Sequence, residues 1–160
     1  MGKTAKDIMS SPVVTVLPDQ NLMEAASIML RERISTLVVV DHNGQVVGIL
    51  THSDFAVRLK LLPFSRSEVV EVLHRLASWG EMVKVYGEAR GIKIKEVMSH
   101  PVFHVAPDML VEEVARAMAQ RGFHRAPVME NERLVGIVSR HDFLKLLLDL
   151  PLEEEAKQPR

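Results

Sequence analysis

The sequence predicts an α/β (α+β) fold: two copies of one β-α-β-β-α unit with a helical insert between them. Three observations predict it. The chain repeats itself, since Lys6-Asp7-Ile8-Met9-Ser10-Ser11-Pro12-Val13 returns as Lys95-Glu96-Val97-Met98-Ser99-His100-Pro101-Val102. Each copy alternates short β-branched runs with stretches of helical spacing. The 160 residues are 47% hydrophobic and 26% charged, a composition suited to a globular core.

In the first copy, Val13 to Val16 reads as a short strand after Pro12. Asp19 follows Pro18 as an expected N-cap, and Leu22, Ala25, Ala26, Met29 and Leu30 recur at helical spacing. Leu37 to Val40 is a buried strand by its β-branched content. Asp41-His42-Asn43-Gly44 is a hairpin turn, with Asn-Gly as its strongest signal. Val46 to Leu50 returns, and a helix is expected from Ser53 to Lys60.

The second copy repeats this order. Its matching elements are Val102 to Val105, Val111 to Gln120, Ala126 to Met129, Leu134 to Val138 and Asp142 to Leu148. Val16-Leu17-Pro18-Asp19 matches Val105-Ala106-Pro107-Asp108, and Glu24, Ala26 and Met29 match Glu113, Ala115 and Met118. The second copy is one residue shorter at the hairpin turn. The register then resumes through Gly48 and Gly136, Asp54 and Asp142, Phe55 and Phe143. The expected division is repeat 1 at 1–60, a helical insert at 61–94, repeat 2 at 95–150 and a charged tail at 151–160. Within the insert, Ser65-Arg66-Ser67-Glu68 fits a capping box. Val69, Val72, Leu73 and Leu76 mark one helix face, ending near Trp79-Gly80. Residues 81–91 give mixed signals and read as mostly irregular.

Composition narrows the function. The formal net charge is -1, which gives no bulk attraction to nucleic acid or to an anionic membrane. The absence of cysteine removes disulfides, thiolate metal sites and cysteine nucleophiles, and fits a reducing cytoplasm. No apolar run approaches the roughly 18–20 residues that span a bilayer. Residues 1–7 lack a signal-peptide core. No nucleophile–base set, P-loop or dinucleotide fingerprint is present, so no enzyme activity is expected. His100 and His104 are four apart, but Pro101 and the expected strand exclude a helical metal pair.

The most informative stretch is Gly48-Ile49-Leu50-Thr51-His52-Ser53-Asp54, which recurs as Gly136-Ile137-Val138-Ser139-Arg140-His141-Asp142. A strand ends there and a helix begins. Such a junction presents unpaired N–H groups and the positive end of a helix dipole. A hydroxyl at that point caps the helix or touches a phosphate. An Asp three residues on accepts hydrogen bonds from a vicinal diol such as a ribose, or serves only as a first-turn acid.

Together these features resemble a tandem pair of CBS domains (cystathionine β-synthase domains), a Bateman module. The resemblance rests on the Met-Ser-x-Pro-Val opening, the Val-x-Pro-Asp helix start and the Gly-apolar-apolar-Ser/Thr-x-x-Asp ending. It covers nearly all of the chain outside the insert and tail, and is similar to stand-alone prokaryotic CBS-pair proteins. It implies a pseudo-twofold pair with two clefts between the copies. It also implies a regulatory ligand: AMP, ADP, ATP or S-adenosylmethionine. A homodimer is expected from it, and a protein target that reads the ligand state.

Carried over by residue, the resemblance implies two unequal sites. In the primary one, Ser139 and Asp142 act with Thr15. Asp142 holds the ribose, His124 and Arg125 meet phosphate, Arg140 adds charge, and the backbone of Ile34 and Ser35 meets the adenine edge. Arginine suits the phosphate role because its guanidinium is always charged and bidentate. The secondary site combines Thr51 and Asp54 with His104. It departs from the first, because Ser35-Thr36 stand where the other copy has His124-Arg125. The leading expectation is a non-enzymatic sensor with no metal, no nucleic acid and no membrane partner. The alternative is a structural dimerisation adaptor with degenerate sites.

Overall fold

The computed structural model describes residues 2–58 and 87–148. The expected insert helix and the tail 151–160 lie outside them. The described elements are α1 (Ala5–Ile8), β1 (Thr15–Val16), α2 (Leu22–Glu32), β2 (Thr36–Val40), β3 (Val46–Thr51) and α3 (His52–Arg58). A helical turn at 87–91 and a 3-10 turn at Ile94–Glu96 follow. Then come α4 (Val111–Arg121), β4 (Arg125–Glu130), β5 (Arg133–Ser139), a 3-10 turn at Arg140–Phe143 and α5 (Leu144–Leu148).

The chain divides into two compact units. The first holds Val13–Val102 with Glu132–Leu134; the second holds Met1–Pro12, Phe103–Asn131 and the chain from Val135 onward. The Met-Ser segment of each sequence copy is therefore built into the unit that carries the other copy's hairpin. Backbone bridges fix this exchange: Ser10 pairs with Ile137, and Ser99 with Ile49.

In the first unit the strand order is β1-β2-β3. β1 runs parallel to β2, with Thr15 opposite Val38, so a crossover must join them, and α2 supplies it. β2 and β3 form the antiparallel hairpin, with Thr36 opposite Thr51. Leu22, Ala25, Leu37, Val39, Leu50 and Ile94 form the buried core, with Met29 and Ala89.

Three local expectations change here. The cap of α2 is Asn21, not Asp19. Asn21 Oδ1 accepts from Glu24 N at 3.0 Å, and Glu24 Oε2 accepts from Asn21 N at 2.8 Å. Asn21-x-x-Glu24 closes a capping box that Asp19-x-x-Leu22 cannot. Asp19 instead pairs with Lys95 at 2.7 Å. Leu30 is 80% exposed, because the core face runs through Leu22, Ala25 and Met29, and one residue on is a turn of about 100°. Residues 87–91 are helical rather than irregular, and the turn buries Ala89.

In the second sequence copy β4 and β5 form the hairpin, most of which lies in the second unit. Its turn residues, Asn131 and Glu132, have φ of 49° and 64°. Ala5, Ile8, Val105, Val111, Val114, Met118, Ala126, Val128 and Val138 form the core. The expected strand from Val102 to Val105 is reduced to one parallel bridge, Val105 to Val128. In the first unit Val38 N donates to Val14 O. Pro127 stands at the position matching Val38 and has no N–H, so that rung is missing. The expected helix from Asp142 begins as the 3-10 turn and continues as α5.

Candidate ligand-binding site

The second unit gathers most of the primary set. β5 ends at Ser139, and its backbone N and Oγ both donate to Asp142 Oδ2, at 2.7 Å and 2.8 Å. Lys145 Nζ contacts Asp142 Oδ1 at 2.7 Å. The same ammonium donates to the carbonyl of Ile8 at 2.7 Å. Asp142 is 5% exposed, the one buried charged residue among those described. Burial alone would push its carboxyl up. The bonds from Lys145 and Ser139 outweigh that and hold it below the usual carboxylate range.

Arg140 N donates to the carbonyl of His124 at 3.0 Å, which joins the head of the 3-10 turn to the residue before β4. Arg125 follows on β4, half-buried, and burial lowers its guanidinium from its ordinary value. It stays charged at neutral pH. Ser139, Asp142, Arg140, His124 and Arg125 thus belong to one local structure. Thr15, Ile34 and Ser35 belong to the first unit. Thr15 is exposed on β1, whereas Ile34 packs against the first core, and its N–H donates to Met29 O at 2.9 Å. That N–H is therefore already engaged within the first unit.

The first unit repeats the motif geometry. Thr51 N and Oγ1 donate to Asp54 Oδ2 at 2.6 Å and 3.0 Å. His52 N donates to Ser35 O at 3.1 Å, matching Arg140 and His124. Ser35 is therefore local to the Thr51–Asp54 turn. The Thr36 hydroxyl, across the ladder from Thr51, is buried with no hydrogen-bond partner among the described residues. His104, expected to act with Thr51 and Asp54, is exposed in the second unit.

Two features escaped the sequence reading. Thr4 N and Oγ1 donate to Asp7 Oδ2 at 2.7 Å and 3.0 Å, a third turn of the same geometry at the head of α1. The hydroxyl–Asp turn is thus a helix cap first, and only its surroundings distinguish a ligand site. Lys145 was also missed. The repeat comparison passes over it, since Val57 occupies the matching position. Among the described residues no three His, Asp or Glu side chains form a metal-binding group. Nor is any helix there long and apolar enough to cross a membrane.

Two strand–turn–helix motifs, repeated in matched contexts, define a tandem-repeat module. The chain belongs to the CBS domain family, whose model matches residues 5–60 and 94–149. An uncharacterized protein of Methanocaldococcus jannaschii is 30% identical over 152 residues, covering 89% of this chain and 90% of that protein. The CBS domain of a CBS domain containing membrane protein from Sphaerobacter thermophilus is 40% identical, with a TM-score of 0.76. That match covers 95% of this chain and 90% of the other. The CBS domain pair of protein MJ0100, solved with 5'-methylthioadenosine and S-adenosyl-L-methionine, is 28% identical with a TM-score of 0.66. It covers 93% of this chain and 98% of that one.

Proposed function

We propose that this chain is a non-enzymatic regulatory module that binds an adenosine nucleotide or derivative: AMP, ADP, ATP or S-adenosylmethionine. The observation that carries the reading is the buried, ionised Asp142 at a strand–helix junction, with Arg125 and Arg140 in the same local structure. Asp142 would accept the ribose hydroxyls, and Ser139 would donate to ribose or phosphate. Arg125, Arg140 and His124 would meet the phosphate. Thr15 completes this set in the proposal, with Ile34 and Ser35 at the base edge. Thr51, Asp54 and His104 make the second set. The ligand would lie in a cleft between the repeats, and its differential affinity would shift their conformation. A homodimer and a protein target would pass that shift on. The adenosine ligands of the MJ0100 pair support the ligand class.

A thermal-shift screen against AMP, ADP, ATP, S-adenosylmethionine, NAD and GTP tests it. A ligand at about 100 times its Kd should add roughly 2.7 kcal/mol. No shift with any compound would remove the reading.

One observation favours the adaptor alternative. Asp142 already accepts from Ser139 and Lys145, and Thr4 and Asp7 show that the turn forms as a plain cap. An adaptor would self-associate but leave melting unchanged across the whole screen.

A further inference from the structure

The proposed primary site contains a charge that the phosphate-binding reading does not use. Lys145 lies one turn past Asp142 and bridges two acceptors: Asp142 Oδ1 on one side and Ile8 O on the other, each at 2.7 Å. Its side chain is 47% exposed, so the ammonium is not sealed inside the unit. In the sequence register, the copy-2 residues His124, Arg125, Arg140 and Lys145 match Ser35, Thr36, His52 and Val57. Every one of these replacements makes the Asp142 turn more basic than its counterpart.

Charge counting then separates two classes of adenosine compound. Asp142 carries one negative charge, which an adjacent phosphate would oppose at close range. Lys145 cancels it. Arg140, exposed at the head of the same turn, then leaves the local charge positive. A ligand with an anionic 5' group gains from that sign, whereas one with a cationic 5' group loses. From this we propose that Lys145 is a positioning and specificity-determining residue, which makes the Asp142 turn select phosphate-bearing over cation-bearing adenosine compounds. The inference rests on the adenosine-binding reading above and adds the ligand class.

The test is calorimetric titration of the full chain with AMP and with S-adenosylmethionine, read as the ratio of the two affinities. Both compounds share adenosine, so effects on ribose contact or on the general fold cancel in the ratio. Lys145→Gln keeps an amide donor but removes the charge. It is expected to lower the AMP preference roughly five- to tenfold. Lys145→Arg is expected to keep it. Asp142→Asn removes the opposing charge, and is expected to weaken both ligands while raising the AMP preference. That variant reads the same electrostatics even where Lys145→Gln fails to fold. Equal weakening of both ligands in Lys145→Gln, or an unchanged ratio in Asp142→Asn, would overturn the inference and leave Lys145 a structural tether. Wild-type protein that binds neither compound would overturn the adenosine reading itself, and this inference with it.

Discussion

Met9 lies across Gly136 so closely that any side chain there would have to push it aside. A Cβ on Gly136 would meet Met9 Sδ and stand 2.8 Å from its Cγ. Met98 covers Gly48 in the same way, with its Cγ 2.9 Å from such a Cβ. Each methionine comes from one sequence copy and each glycine from the other. The Met-Ser opening and the Gly-apolar-apolar-Ser/Thr ending are therefore partners in packing as well as in pattern. They place the strand that leads to Ser139 and the strand that leads to Thr51.

Gly136→Ala should destabilise the protein by about 1–3 kcal/mol, since the added methyl forces the Met9 side chain aside. Met9→Ala in the same chain should recover part of that loss, and Met98→Ala should not. Urea denaturation of the single and double variants measures the coupling. Equal recovery by either methionine would contradict the exchanged packing.

The hairpin turn of the second copy holds Glu132 at a φ of 64° without a glycine. A side chain in that region costs about 1–2 kcal/mol, offset partly by the greater freedom glycine has when unfolded. Glu132→Gly should therefore stabilise by about 0.5–1 kcal/mol, because a glycine following Asn131 suits a type I′ turn. A higher midpoint in thermal melting checks it.

Asp142 should make stability depend on pH in the acid range. Its carboxyl is held below the ordinary value in the folded chain, so it binds a proton less readily folded than unfolded. Its contribution is then present above about pH 4 and lost as pH falls through the folded value. Asp7 and Asp19 are lowered in the same direction, by Thr4 and by Lys95 and Lys93 respectively. Asp142→Asn should lower the melting temperature at neutral pH and flatten the acid limb, without removing it. Melting curves of both proteins across the acid range test the sign.

Much of this was legible in the residues. Leu37 to Val40 and Val46 to Leu50 are β-branched runs around Asn43-Gly44, so local chemistry alone marks that hairpin. The second hairpin follows by the repeat. Ser139 and Asp142 stood out because two copies agreed. The exchange of Met9 and Met98 was not legible, because a repeat says which residues are alike and not which copy they pack upon. The lost strand at Val102 to Val105 depended on one missing N–H at Pro127, visible in the sequence yet meaningful only once its ladder partner is known. Lys145 was hidden for the opposite reason. Comparison of copies highlights what they share, and Val57 shares nothing with it. Leu30 shows the limit of spacing, since a residue beside an apolar face counts as apolar whether or not anything covers it.

The most direct measurement is a calorimetric titration of AMP into wild-type protein, Asp142→Ala and Asp54→Ala. Removing a charged hydrogen-bond acceptor costs about 1.5–3 kcal/mol, or roughly ten- to a hundredfold in affinity. Wild-type binding that weakens by this factor in Asp142→Ala, and persists in Asp54→Ala, is the predicted result. AMP binding unchanged by Asp142→Ala would contradict the account, and would leave Asp142 as a helix cap tied to Lys145.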